Sequence, residues 1–289
     1  MIRADCDSVA AFCALAFTPA SIAVGNDDRC AELLGCPGSW LNRNRNVQDW
    51  LGATTTGEAA ERVTRGWPEG AAKVLANLRD LDVPIPMSVR RRLTRTDQGD
   101  ELDIHAVNRG DLDHAWTARR RRRAHGRLTV RLIVQTNLLA EMSAAELFWR
   151  GAAAVKASDL LTAAGYAVEI VGALASEEVG GVEGDFIVTF SLKSAAAPLD
   201  VEALAGVICN AGFHRLFGFR AYFALAPKPH LKTGRAISDT TGRIIRAAAL
   251  DVDGTRTFTV PYGVTSQAAA QRWITETIAS LDAAPITAY

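Results

Sequence analysis

The stretch LTVRLIVQTN, residues 128–137, constrains the fold more than any other part of the chain. Val, Ile, Leu and Thr dominate it, the composition of a strand buried within a parallel sheet. It stops at the polar residues Gln135, Thr136 and Asn137. Shortly afterwards Ser143 and Glu146 stand at the S-x-x-E spacing of a capping box. The helix opened there, SAAELFWRGAAAVKASDLLTAA, is stopped by Gly165, and AVEIVGAL (167–174) reads as a second strand. Strand, helix and strand in this order form a βαβ unit, whose strands are parallel and whose crossover is right-handed.

The alternation continues to the end of the chain. FIVTFSLK (186–193) and RAYFALAP (220–227) read as strands around a helix, PLDVEALAGVICNAG, that Asp200 caps. RIIRAAAL (243–250) and TRTFTVP (255–261) flank a turn at Asp253-Gly254, and SQAAAQRWITETIASL (266–281) is a last helix. This pattern predicts an α/β domain over 128–289: a Rossmann-like open, mostly parallel sheet with flanking helices.

Residues 1–127 carry a different signal and are expected to form an α-rich N-terminal domain ending in a basic linker. Helices are predicted at about 7–16, at about 58–65, and from Pro68 through GWPEGAAKVLANLRDL, where Leu75, Leu78 and Leu81 recur at helical spacing. Gly110 is a helix stop, and Asp111 a cap for the next helix.

Charge excludes one class of partner only in bulk. Lys plus Arg and Asp plus Glu both number 32, so no global field draws in nucleic acid or anionic membrane. The five cysteines (Cys6, Cys13, Cys30, Cys36, Cys209) include no CxxC pair, and Cys30 and Cys36 stand too far apart for a zinc knuckle. An odd number of thiols fits a reducing compartment, so a cytoplasmic protein is expected. The apolar stretch Val9–Val24 follows Asp5 and Asp7 and is broken by Thr18, Pro19 and Ser21, which suits neither a signal peptide nor a membrane span.

On these residues the chain resembles von Willebrand factor A (vWA) domains, above all that of the large cobalt-chelatase subunit. The lead-in DELDIHAVNRGDLDHAWTARRRRR (100–123), the first strand running into a polar loop, the Ala-rich helix and GYAVEIVGA (165–173) carry the likeness. The chain is also similar to proteins of actinobacterial phages and mobile elements, through GDELDIHAVNRGDLDHAW (99–116) and ELFWRGAAA (146–154). That second resemblance brings no activity with it.

The vWA resemblance implies a divalent-cation site of the form D-x-S-x-S at the end of the first strand. In this sequence its Asp falls on Gln135, its first Ser on Asn137 and its second on Leu139. Hard cations are anchored by carboxylate oxygen, and none stands here. A degenerate site without metal is therefore expected, with Gln135, Thr136 and Asn137 lining a strand-end crevice that receives a partner. A plain polar strand-to-helix turn explains the same three residues with less.

Other constellations carry less. LDVDGTRTF (250–258) has the letters of a haloacid-dehalogenase nucleophile motif, but a turn at Asp253-Gly254 explains them, and no Lys follows. Arg119, Arg120, Arg121, Arg122 and Arg123 form a basic cluster of the kind that meets phosphate, or an acidic partner. Asp97, Asp100, Glu101, Asp103, Asp111 and Asp113 nearby can neutralise it internally, and only Trp116 offers a stacking ring. His105 and His114, with Asp103, Asp111 and Asp113, are the residue types of a metal or acid/base cluster, but they fall on two separate predicted helices, which does not bring them together. Cys209 and His214 are close in sequence, but an inward-facing helical thiol accounts for Cys209. Trp116 and Trp149 read as packing anchors. No phosphate loop, dinucleotide fingerprint or G-x-S-x-G elbow is present.

The expectation is a non-enzymatic interaction or scaffold protein without a cofactor. Its partner is another protein, with an AAA+ ATPase, implied by the vWA resemblance, or a second copy as candidates. Nucleic-acid binding through Arg119–Arg123 is the first alternative, and a metal-dependent vWA adaptor the second.

Overall fold

A computed structural model describes residues 2–15, 47–77, 79, 93–96, 101–119, 128–137, 142–176, 186–218, 221, 225 and 255–283. Strands β1 (Ile2–Cys6), β5 (Thr129–Gln135), β6 (Ala167–Ser176), β7 (Phe186–Lys193) and β8 (Arg256–Val260) form one sheet in the order β1-β7-β6-β5-β8. Among the described residues of this sheet, β5 is parallel to both β6 and β8, β1 is parallel to β7, and β6 and β7 are antiparallel. The strand-helix-strand unit read from 128–174 is therefore present with parallel strands, inside a mixed α/β fold whose sheet is mostly parallel.

Among the described residues the helices are α1 (Val9–Leu15), α2 (Val47–Leu51), α3 (Thr56–Arg65), α4 (Pro68–Asn77), α5 (Ile104–Asn108), α6 (Ala144–Ala163), α7 (Val201–Ile208) and α8 (Gln267–Ala283). The long α6 begins at the capping box. Ser143 Oγ accepts from the Glu146 amide, and the Glu146 carboxylate accepts from the Ser143 amide at 2.7 Å. Asp200 caps α7 by accepting from the Ala203 amide at 2.9 Å, and Gly165 takes a φ of 96° where α6 hands over to β6.

Alternation along β5 sorts its two faces. Val130, Leu132 and Val134 enter the main core with Phe148, Ala152, Leu161, Ile170, Val188 and Phe190. Ile133 lies on the opposite face with Ala173 and Ile187, beside an Arg131 Nε–Glu169 bond of 2.7 Å that crosses from β5 to β6. Phe12 of α1, Trp50 and Leu51 of α2, Ala59 of α3 and Val74 of α4 belong to that same main core. Elements on both sides of residue 127 thus share it. Glycines permit the closest helix crossings: a Cβ on Gly206 would lie 2.0 Å from the Arg62 carbonyl oxygen, and one on Gly151 2.4 Å from that of Ile208.

Several expectations change. The N-terminal part is not helical throughout: β1 precedes α1, and a second, antiparallel sheet β2-β4-β3 is built from Leu93–Thr96, Trp116–Arg119 and Glu101–Leu102. Such short, charged strands carry too few apolar positions to show a period. Gly110 does follow α5, with a φ of 78°, but Asp111 makes no cap hydrogen bond to the 3-10 turn Leu112–His114. In 220–227, Ala221 and Leu225 are helical rather than extended and the other residues lie outside the described ones, while Phe213–Gly218 just before is a π-helical turn. A short apolar run fits either state by period alone. Segment 243–250 and the Asp253-Gly254 turn lie outside the described residues. Among the described residues, no helix is long and apolar enough to cross a membrane.

Candidate functional site

The site is the carboxyl end of β5. Gln135, Thr136 and Asn137 converge there as the sequence suggests, but all three are buried, at 0, 1 and 0% exposure. Thr136 turns toward β6: its amide donates to the Ala173 carbonyl at 2.8 Å and its hydroxyl to the same oxygen at 3.2 Å. The side chains expected to line a strand-end crevice are thus enclosed within the protein.

A guanidinium braces this strand end. Arg150 sits on α6, on the helix that the capping box starts, and is fully buried. Its Nη1 donates to the carbonyl oxygens of Gln135 and Asn137, both at 2.7 Å. Its Nη2 donates to the Tyr262 carbonyl at 3.2 Å, and its head lies 4.8 Å from the centre of the Tyr262 ring. Burial draws the Arg150 pKa down to about 10, against the raising influence of Tyr262 and Glu146, which leaves the group charged at neutral pH. A positive head therefore rests on the backbone at the carboxyl end of β5.

Two more buried groups lie behind it, in the π-helical turn. Arg215 donates to the carbonyls of Trp50 and of Met142, the latter at 2.6 Å, and its head lies 4.6 Å from the centre of the Trp50 ring. His214, fully buried, has its pKa pushed down to about 3 by burial and by the positive fields of Arg215 and Arg150. It is neutral at physiological pH. Sequence reading passed over Arg150 and Arg215, although LFWRGAAA and FHRLF each place a charge inside an apolar run, where charges are rare unless bonded.

The remaining candidates separate. Arg119 ends β4 opposite Leu93, while Arg120, Arg121, Arg122 and Arg123 lie outside the described residues, as do Leu139, Cys30 and Cys36. Asp103 caps α5, accepting from the His105 amide at 3.0 Å and the Ala106 amide at 3.3 Å. Asp111 holds the exposed His114 ring at 2.9 Å. Among the described residues, no group of three or more His, Cys, Asp or Glu side chains is placed to hold a metal. Burial pushes the Cys209 thiol well up, with Lys73 opposing, which is the reverse of an activated nucleophile. Trp149 packs edge-on against Phe148 at 5.3 Å, and Trp116 is half-buried.

This arrangement can tie loops together through a fixed positive charge. Among the described residues, nothing in it combines a nucleophile with a base or gathers carboxylates around a cation. Residues 3–272 match the model of a family described as Domain of unknown function (DUF7192). No curated protein and no solved structure matches.

Proposed function

This chain belongs to the DUF7192 family, and we propose that it serves as a non-enzymatic protein-interaction or scaffold module on a vWA-like domain that works without metal. The observation that carries the reading is the Arg150 head on the carbonyls of Gln135 and Asn137. A strand end already braced by an internal cation, with no carboxylate at 135, 136 or 137, has no need of a divalent one and little means of holding it. Strand order supports the vWA-like frame. Counted from β5, the order β7-β6-β5-β8 is the 3-2-1-4 of a doubly wound sheet, with β7 departing from it by running antiparallel to β6.

Because Gln135, Thr136 and Asn137 are buried, their role is to support the surface beside them. There the turn after β8 exposes Pro261, Gly263, Ser266 and Gln267. An AAA+ ATPase or a second copy of the chain is the candidate occupant. The test is binding to a purified partner, found by affinity capture, with chelator and with Mg²⁺. Equal affinity in both, weakened by bulky substitution at Gly263, supports the proposal. Stoichiometric Mg²⁺ or Mn²⁺ binding lost on changing Asn137, or turnover of any small molecule, overturns it.

Nucleic-acid binding is the second reading, favoured by the basic run Arg119–Arg123 in the sequence, whose first residue ends β4. It requires an affinity that falls steeply with salt and disappears when Arg119–Arg123 become Ala.

A further inference from the structure

We infer that the carbonyl oxygens of Gln135, Asn137 and Tyr262, floored by the Tyr262 ring, form a site for a planar cation that the chain fills with its own Arg150. This internal cation fixes the connection leaving β5 against the turn that follows β8. It does so in the free chain, whether or not the module binds a partner.

The geometry is specific to a guanidinium. Two acceptors lie at 2.7 Å from one terminal nitrogen and a third at 3.2 Å from the other, so the fork is used as a fork. All three acceptors are neutral backbone oxygens, and the flat head lies over an aromatic face, which an ammonium ion satisfies less well. Nε is buried and makes no hydrogen bond among the described residues, so the terminal nitrogens hold the head. A free guanidinium ion can therefore reproduce these polar contacts of the side chain. The far end of the same connection is braced separately, since Arg215 holds the Met142 carbonyl. The acceptors come from distant parts of the chain, with Tyr262 112 positions from Arg150. Losing the cation should thus loosen two segments at once.

Hydrogen exchange of the full chain tests this. In Arg150→Ala, amides of 136–137 and of 262–264 are expected to exchange about tenfold faster or more, while those of β6 and β7 keep their protection. Low, non-denaturing guanidinium chloride should then restore protection at those same amides, and sodium chloride of equal ionic strength should not. Arg150→Lys, which keeps the charge and the stem, should show the same local loosening and decides the matter if the Ala variant does not fold. Equal effects of the two salts, or wild-type exchange in Arg150→Lys, overturns the inference.

Discussion

Arg150 grips Tyr262 twice, by a hydrogen bond to its carbonyl oxygen at 3.2 Å and by lying 4.8 Å from the centre of its ring. This joins the second turn of the sheet's long helix to the turn that follows β8. Arg150→Met keeps the apolar stem and removes the head, which leaves three backbone acceptors without that donor. A loss of about 2–4 kcal/mol is expected. Urea denaturation measures it, and an unchanged midpoint would mean that the bonds contribute nothing net.

His214 makes stability depend on pH, and the sign follows from its depressed pKa. The folded chain holds the ring neutral down to about pH 3, whereas the unfolded chain protonates it near 6.5. The unfolded state then binds more protons between those values. Stability is fully present above about pH 6.5 and falls as pH drops toward 3, with a slope of up to about 1.4 kcal/mol per pH unit from this residue. His214→Gln should flatten the curve in that window. Equal slopes for both proteins in denaturation series from pH 7 to 4 would rule His214 out as the cause.

What the sequence made legible was local. The capping box at Ser143 and Glu146, the stop at Gly165 and the composition of β5 and β6 declare a parallel pair joined by a helix, and the fold contains it. β1 was not legible, because IRADC has neither the length nor the apolar content to stand out until Phe186–Phe190 supplies the facing edge. The site was half legible. Its backbone position followed from the end of an apolar run, but Arg150 and Arg215 act on carbonyl oxygens, which no residue letter encodes. Burial of Gln135 and Asn137 depends likewise on helices that arrive from elsewhere in the chain.

Two glycines separate close packing from loop freedom. A methyl group on Gly206 meets the Arg62 carbonyl at 2.0 Å, and backbone cannot step aside cheaply. Gly206→Ala should cost about 1–3 kcal/mol by forcing α3 and α7 apart. Gly263→Ala, where nothing lies within 4 Å, should change stability by less than about 0.5 kcal/mol. Thermal melts of the two variants side by side check the contrast, and similar losses in both would contradict it.

Thiol labelling reports on the core. Burial pushes the Cys13 pKa up to about 12 and raises that of Cys209 further, so neither supplies appreciable thiolate at neutral pH. Iodoacetamide at pH 8 should leave both unmodified in the folded chain and label both in denaturant. Rapid native labelling of Cys209, read by peptide mass, would show that the contact between α6 and α7 opens readily.

Divalent cations should leave the protein as stable as chelator does. A ligand that binds only the folded state raises stability by RT ln(1 + [L]/Kd), so even a weak Mg²⁺ site appears as a melting temperature that climbs with concentration. Here the Gln135 and Asn137 carbonyls already accept from Arg150, and among the described residues no cluster of three or more His, Cys, Asp or Glu side chains stands ready to hold an ion. An incoming ion would have to displace a charged head that is buried away from water, and would gain neutral carbonyl oxygens in return. Melting curves in chelator, Mg²⁺ and Mn²⁺ should superimpose for the wild type. A concentration-dependent rise that disappears in Asn137→Ala would mean that the strand end holds a metal after all, and that the guanidinium supports the metal site without replacing it.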